Sequence, residues 1–208
     1  MSAVAAPAPD VSKWAAWTPS DVAEILSDVG VPWYVAGGWS IDLFLGGERR
    51  PHADLEIAVP QHLFGDIATA LAEYELHVVS GGAITAARDA AVLETTHQTW
   101  VYEPAADAWR VDVLREPSSG DAWVYRRDER IGLPYDRVIR RTDDGIPYGS
   151  PEVTLLFKAP HAGEDKHSAD FAAARPFLSD GSRAWLLDTL ELAHPGHVWI
   201  PELRERGA

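Results

Sequence analysis

The sequence has no cysteine and a single methionine in 208 residues. Without thiols it can form no disulfide, no thiolate zinc site, no iron–sulfur cluster and no cysteine nucleophile. Basic residues are scarce as well: 18 Lys and Arg stand against 32 Asp and Glu, a formal charge of −14. Affinity for nucleic acid comes largely from Lys and Arg on phosphate, so this balance argues against a nucleic-acid partner. It suits a cationic partner, or one brought in by a metal ion. No apolar run reaches the ~18 residues of a membrane-spanning helix. The first ten residues, Met1 to Asp10, are rich in Ala and Pro and have neither a basic flank nor a long apolar core. They read as the start of a loose tail and not as a secretory signal, so the expected address is the cytoplasm.

What is present is ordinary for a globular chain: 46% hydrophobic and 24% charged residues. The length allows one domain of ~100–200 residues, or one with a small appendage. Thr18-Pro19-Ser20-Asp21 is a helix start, with Thr18 as cap, Pro19 in the first turn and Asp21 reaching back. Val22, Ile25, Leu26 and Val29 follow at helical spacing, and Gly30 closes the segment. Pro32 to Ala36 reads as a strand, Gly37-Gly38 as a turn and Trp39 to Leu45 as a helix. Leu55, Ile57 and Val59 alternate with Asp54, Glu56 and Ala58, the two-residue period of a strand that Pro60 ends. Further expectations are a helix over 61–73, strands over 76–79, 92–102, 109–114 and 137–140, and then three helices over 152–159, 168–178 and 182–193. The composition changes near Gly145 to Pro151. The expected organisation is therefore a flexible tail (1–17), a mixed α/β unit (18–150) and a helical segment packed on it (151–208).

Three features carry chemistry. Glycines between a strand and a helix let a backbone approach a ligand closely, and a helix start favours an anion such as a triphosphate. Taken alone, Gly37-Gly38 is a tight turn. Asp54 and Glu56 stand at i and i+2, so on a strand both carboxylates project from one face while Leu55 and Ile57 enter the core. Adjacent anions repel, and a divalent cation turns that repulsion into binding. A solvated polar face is the simpler account of the same alternation. Asp112, in Trp109 to Leu114, is a third carboxylate on a strand; if that strand lies beside the first, it completes a cluster of three.

The stretch Val35-Ala36-Gly37-Gly38-Trp39-Ser40-Ile41-Asp42-Leu43-Phe44-Leu45-Gly46, followed by Arg50-Pro51-His52-Ala53-Asp54-Leu55-Glu56-Ile57, resembles the DNA polymerase β-like nucleotidyltransferase superfamily. Within it the chain is most similar to the small antibiotic nucleotidyltransferases that act on aminoglycosides and lincosamides. The likeness is dense over 33–59. It continues more weakly through Asp112-Val113-Leu114-Arg115-Glu116-Pro117, through Val153 to Ala159 and through Lys166 to Phe171. It departs from the family at Glu56, where many members have Asp, at Pro160 and His161, and at His167 and Ser168.

The resemblance implies an α/β fold of the α+β kind, a minimal nucleotidyltransferase mixed sheet flanked by helices with a C-terminal helical segment. It implies an enzyme that moves a nucleotidyl group, most simply AMP from ATP, to a hydroxyl of a small molecule such as an antibiotic or natural product, releasing pyrophosphate. Two Mg²⁺ ions would bridge Asp54, Glu56 and the triphosphate, with Asp112 as a further metal ligand or the general base. Gly37, Gly38, Trp39 and Ser40 would hold phosphates. Arg50, His52 and Lys158 would support them, although His52 is equally placed to orient Asp54. The small hydroxylated acceptor is the expected partner. Rival readings are nucleotidylation of a protein, as in antitoxin-type members, and a non-catalytic nucleotide-binding protein that has kept the fold.

Other patterns carry less. Lys166 and Asp170 are four apart and read as a helix-surface pair. His161, His167, His194 and His197 fit no common zinc spacing. No Gly-x-Ser-x-Gly elbow supports a serine hydrolase. Trp123, Tyr125, Tyr135 and Tyr148 read chiefly as packing residues. The clusters Arg126-Arg127 and Arg140-Arg141 are too local, in so acidic a chain, for a large polyanion.

Overall fold

The computed structural model describes residues 9–87 and 90–205. Helix α1 (Pro19–Ile25) starts as its sequence dictates. Asp21 N–H donates to Thr18 Oγ1 at 3.2 Å, and Thr18 N–H donates to the Asp21 carboxylate at 2.8 Å. This reciprocal cap satisfies two orphan donors of the first turn. Strand β1 (Tyr34–Val35) leads directly into α2 (Gly37–Phe44), so both glycines lie inside the first turn of the helix and not in a turn before it. Then come β2 (Glu56–Pro60), α3 (Phe64–Ala70), β3 (Glu75–Ser80), β4 (Ala83–Ala86), α4 (Ala90–Thr95), β5 (Gln98–Glu103) and β6 (Ala108–Glu116). Small strands β7 (Ser118–Ser119), β8 (Ala122–Val124) and β9 (Gly132–Pro134) form a second sheet. Helix α5 (Tyr135–Val138), β10 (Ile139–Arg141) and β11 (Pro147–Gly149) lead to α6 (Pro151–Lys158), α7 (Asp165–Ala174), α8 (Asp180–Ala193) and α9 (Ile200–Arg204).

The main sheet has eight strands in the order β10-β11-β1-β2-β6-β5-β3-β4. It is mixed: β1 with β11 and β2 with β6 run parallel, and the other neighbours antiparallel. The alternation at 54–59 locks the β2 register. Leu55, Ile57 and Val59 are fully buried against Val111 and Val113, with α1 and α3 covering them. A one-residue slip would expose three side chains worth about 1.5–3 kcal/mol each. On the opposite face Glu56 and Ala58 of β2 stand beside Asp112 and Leu114 of β6. A second core packs this face against the C-terminal helices through Tyr34, Ala58, Leu155, Phe171 and Leu186.

Several expectations need correction. The strand expected from residue 92 begins only at Gln98, because 90–95 forms α4. The expected strand at 137–140 is the end of α5 followed by β10. Pro60 belongs to β2, and the helix over 61–73 is a 3₁₀ turn followed by α3. The segment of changed composition holds β11, a strand between β10 and β1. Residues 10–17 of the expected tail are anchored: Trp109 N–H donates to Lys13 C=O at 2.7 Å, and its indole N–H donates to Asp10 C=O at 2.9 Å. Residues 1–8 lie outside the described part. Among the described residues no helix is long and apolar enough to cross a membrane.

Candidate active site

The site lies where β1 ends, α2 begins and β2 starts. Gly37 has φ +60°, the left-handed region that disfavours a side chain. A Cβ at this position would also collide with the Glu56 carboxylate. A Cβ on Gly38 would collide with the Arg50 guanidinium and come within 2.7 Å of the His52 ring. Both glycines are therefore required by close approach, and the motif brings Glu56, Arg50 and His52 against one turn.

Glu56 is the register partner of Asp112 on the neighbouring parallel strand. The expected juxtaposition of the second and third acids is thus present. Asp54 precedes β2 and is exposed. Burial, followed by the charge of Asp54, raises the pKa of Glu56. Burial, followed by the charge of Glu56, pushes Asp112 well above the ordinary carboxylate range. Asp112 is 3% exposed. Gln98 donates to its Oδ2, while its Oδ1 is buried without a hydrogen-bond partner. Among the described residues no three acids or histidines converge closely enough to form a ready-made metal centre.

A relay of ion pairs and hydrogen bonds ties this turn to the C-terminal helices. Lys158 of α6 pairs with Asp170 of α7 at 2.8 Å, both side chains being 7% exposed. Asp170 also faces Arg50 at 3.4 Å. Arg50 Nη1 lies 3.2 Å from His52 Nδ1, and His52 Nε2 lies 2.7 Å from the Asp42 carboxylate. Asp42 further accepts from the Arg49 N–H at 3.0 Å. His52 therefore serves Asp42 and not Asp54. Asp170 serves Lys158 and Arg50; Lys166, its expected helix partner, instead lies 3.4 Å from Glu164.

Two expected phosphate contacts point elsewhere. The Ser40 hydroxyl is fully buried, donates to Gly149 C=O at 2.6 Å and lies 2.9 Å from the Thr154 hydroxyl. It fastens α2 to α6. Trp39 stacks on His52 at 4.4 Å and lines a separate cavity with Pro19, Leu43 and Tyr148. A cavity of about 280 Å³ is lined by Gly37, Glu56, Ala58, Leu114, Glu116 and Lys158; Asp54 and Asp112 do not line it.

Sequence reasoning missed the roles of Asp42 and Glu116 and misread that of Asp170. Glu116 had a signal: it follows Asp112 by four residues, on the same face of β6. It is 2% exposed, and burial raises its pKa to about 7. Beside it, His97 is held down to about 4, chiefly by burial.

The sheet and helices share their fold with solved nucleotidyltransferases. The family model described as Aminoglycoside-2''-adenylyltransferase matches residues 20–81. The solution structure of the antibiotic-resistance factor ANT(2'')-Ia matches with a TM-score of 0.54 and 12% identity, covering 83% of this chain and 89% of that one. The lincomycin-bound lincosamide adenylyltransferase LnuA matches with 0.54 and 14%, covering 76% and 95%. ANT(2'')-Ia in complex with adenylyl-2''-tobramycin matches with 0.54 and 12%, covering 81% and 92%. At these identities the likeness to the solved structures is one of fold. No curated protein sequence matches the chain.

Proposed function

We propose that this protein is an enzyme that transfers a nucleotidyl group from a nucleoside triphosphate, most simply ATP, to a hydroxyl of a small molecule. The observation that carries this reading is the Glu56 carboxylate lodged against Gly37, with Asp112 in register beside it. The acceptor oxygen attacks the α-phosphorus, the bond to the bridging oxygen of the β-phosphate breaks, and pyrophosphate leaves. The proton of the acceptor hydroxyl passes to Asp112, whose Oδ1 has no hydrogen bond among the described residues, or to water where Asp112 instead holds the metal ion. The first N–H groups of α2, which no side chain caps, suit phosphate oxygens. Lys158 and Arg50, oriented by Asp170, face them with positive charge.

The donor set fits Mg²⁺, which takes one or two carboxylates with phosphates and waters completing its shell. Two acids crowded together, with one oxygen unpartnered, have the chemistry such an ion needs. Glu56 and Asp112, with Asp54 at the mouth, would hold it, and the bound ion would neutralise charge on the transferred phosphate. The lincomycin and adenylyl-tobramycin bound in the structural relatives make a hydroxylated, ring-containing antibiotic or natural product the first class to test, in resistance or natural-product metabolism.

Calorimetric titration with a non-hydrolysable ATP analogue, with and without Mg²⁺, tests the reading. Mg²⁺-dependent binding that Glu56→Gln abolishes is expected, followed by pyrophosphate release in an acceptor screen. Failure to bind any triphosphate would refute it.

A further inference from the structure

Beyond the acids, the cavity ends on a carboxylate that the transfer chemistry does not use. Glu116 lines the cavity, is 2% exposed, and has no hydrogen-bond partner at Oε2. Trp123 directs its indole N–H toward this carboxylate without reaching hydrogen-bond geometry, and the Tyr135 hydroxyl close by is likewise unpartnered. A buried polar group left unsatisfied costs about 1–3 kcal/mol, so such a cluster signals a missing ligand or water. The lining brings apolar side chains, Ala58 and Leu114 on the sheet, Val153 and Phe157 on α6 and the Tyr34 ring, together with the carboxylates of Glu56 and Glu116. Apolar surface beside hydrogen-bonding groups suits a pyranose or cyclitol, whose C–H faces are apolar and whose edge carries hydroxyls. A volume of about 280 Å³ holds one such ring.

The charge at the mouth limits the choice further. Arg126 is exposed, and its side chain has neither an ion pair nor a hydrogen bond among the described residues. Arg127, also at the rim, lies over the Phe157 ring and donates to its C=O at 2.9 Å. Lys158 is balanced by Asp170, and His97 is neutral near pH 7. The rim is therefore cationic, and Glu116 is not a full counter-charge.

We propose that this cavity is the acceptor subsite and that it takes an uncharged hydroxylated ring, with a ring hydroxyl on Glu116 and the arginine rim discriminating against ammonium-bearing rings. This rests on the transferase reading but is tested apart from it, because nucleotide binding is measured separately. The probes are methyl α-glucopyranoside and its 2-amino-2-deoxy counterpart, titrated at pH 6 against the full chain by saturation-transfer NMR. The neutral ring is expected to bind about tenfold more tightly, a difference of about 1.4 kcal/mol. Glu116→Ala should abolish its signal while the binding of the ATP analogue persists. Glu116→Gln, which keeps the shape and the hydrogen bonds, should retain it. Arg126→Glu, an exposed change that leaves folding untouched, should erase the preference for the neutral ring. Tighter binding of the ammonium ring by the wild type, or a glucoside signal indifferent to Glu116→Ala, would overturn the proposal. Loss of analogue binding in the wild type would instead count against the transferase reading.

Discussion

The two ends of the cavity differ in how far their polar groups are paired. At the glycine turn a chain of partners runs from Asp42 to His52, from His52 to Arg50, and from Arg50 and Lys158 to Asp170, while Arg50 Nε and Asp112 Oδ1 have no hydrogen bond among the described residues. At the far end Glu116 Oε2, Trp123 Nε1 and the Tyr135 hydroxyl have none. On the proposed reading the first end is preorganised, so little reorganisation would be needed for a triphosphate. The second carries desolvated groups that only a ligand or water can satisfy. Substitutions at the two ends should therefore move stability in opposite directions.

The largest effect is expected at the paired end. Asp170→Ala leaves the buried Lys158 ammonium without a counter-charge and sets Arg50 free. Removing one partner of a buried ion pair costs about 3–5 kcal/mol. Chemical denaturation should show a loss of that order. The KM for the triphosphate should rise more than kcat falls, since Asp170 orients binding cations and touches no reacting atom. An Asp170→Ala protein as stable as wild type would show that the relay is only a surface pair.

Glu56 stands at the glycine turn itself, and here activity is expected to fall while stability does not. Glu56→Gln removes one of two repelling carboxylates yet keeps its shape beside Gly37. Loss of a preorganised charge at a transfer site typically costs about 10²–10³ in rate. Pyrophosphate release should fall by that factor, with an unchanged or slightly raised melting temperature. An active Glu56→Gln enzyme would place the chemistry elsewhere.

How much of this was legible follows from the range of each signal. The glycine pair, Arg50, His52 and Glu56 lie within twenty residues of one another, and the two-residue period of β2 announced which face the acid would take. Asp112 needed only the assumption that its strand neighbours β2. Asp170 was misread because its partner lies on another helix; a spacing of four suggested Lys166, and tertiary packing delivered Lys158. Ser40 and Trp39 were assigned to phosphate by proximity in sequence, but the helical period turns them toward Gly149 and His52. Strand β11 was invisible because a three-residue strand in a Gly- and Pro-rich segment has no period to detect.

At the unpaired end, Glu116 gives the comparison its pH dependence. A carboxyl whose folded pKa is raised binds protons more tightly in the native state. Its contribution is present below the unfolded value, near 4.5, and is lost as pH rises through about 7. The interval corresponds to ~3 kcal/mol. Glu116→Gln should remove this component, so that the fall in stability between pH 4.5 and 8 shrinks by that order in urea titrations. Glu56 and Asp112 are shifted in the same direction and maintain a residual slope. A variant with the wild-type slope would show that Glu116 is not held protonated by burial.

The smallest effect probes the junction itself. Gly37 adopts φ +60°, where an L-residue costs about 1–2 kcal/mol before any contact is considered. Its missing Cβ also leaves the space occupied by the Glu56 carboxylate. Gly37→Ala should lower stability by about that amount and move Glu56 out of register with the turn. Gly46 is the control: its φ is +82°, but nothing lies within 4 Å of a Cβ there. Gly46→Ala should incur a similar backbone cost and leave transfer intact. If both alanines reduce transfer alike, the close approach of Glu56 to the turn is incidental. If only Gly37→Ala does, the space left by that one hydrogen is what sets the acid against the triphosphate.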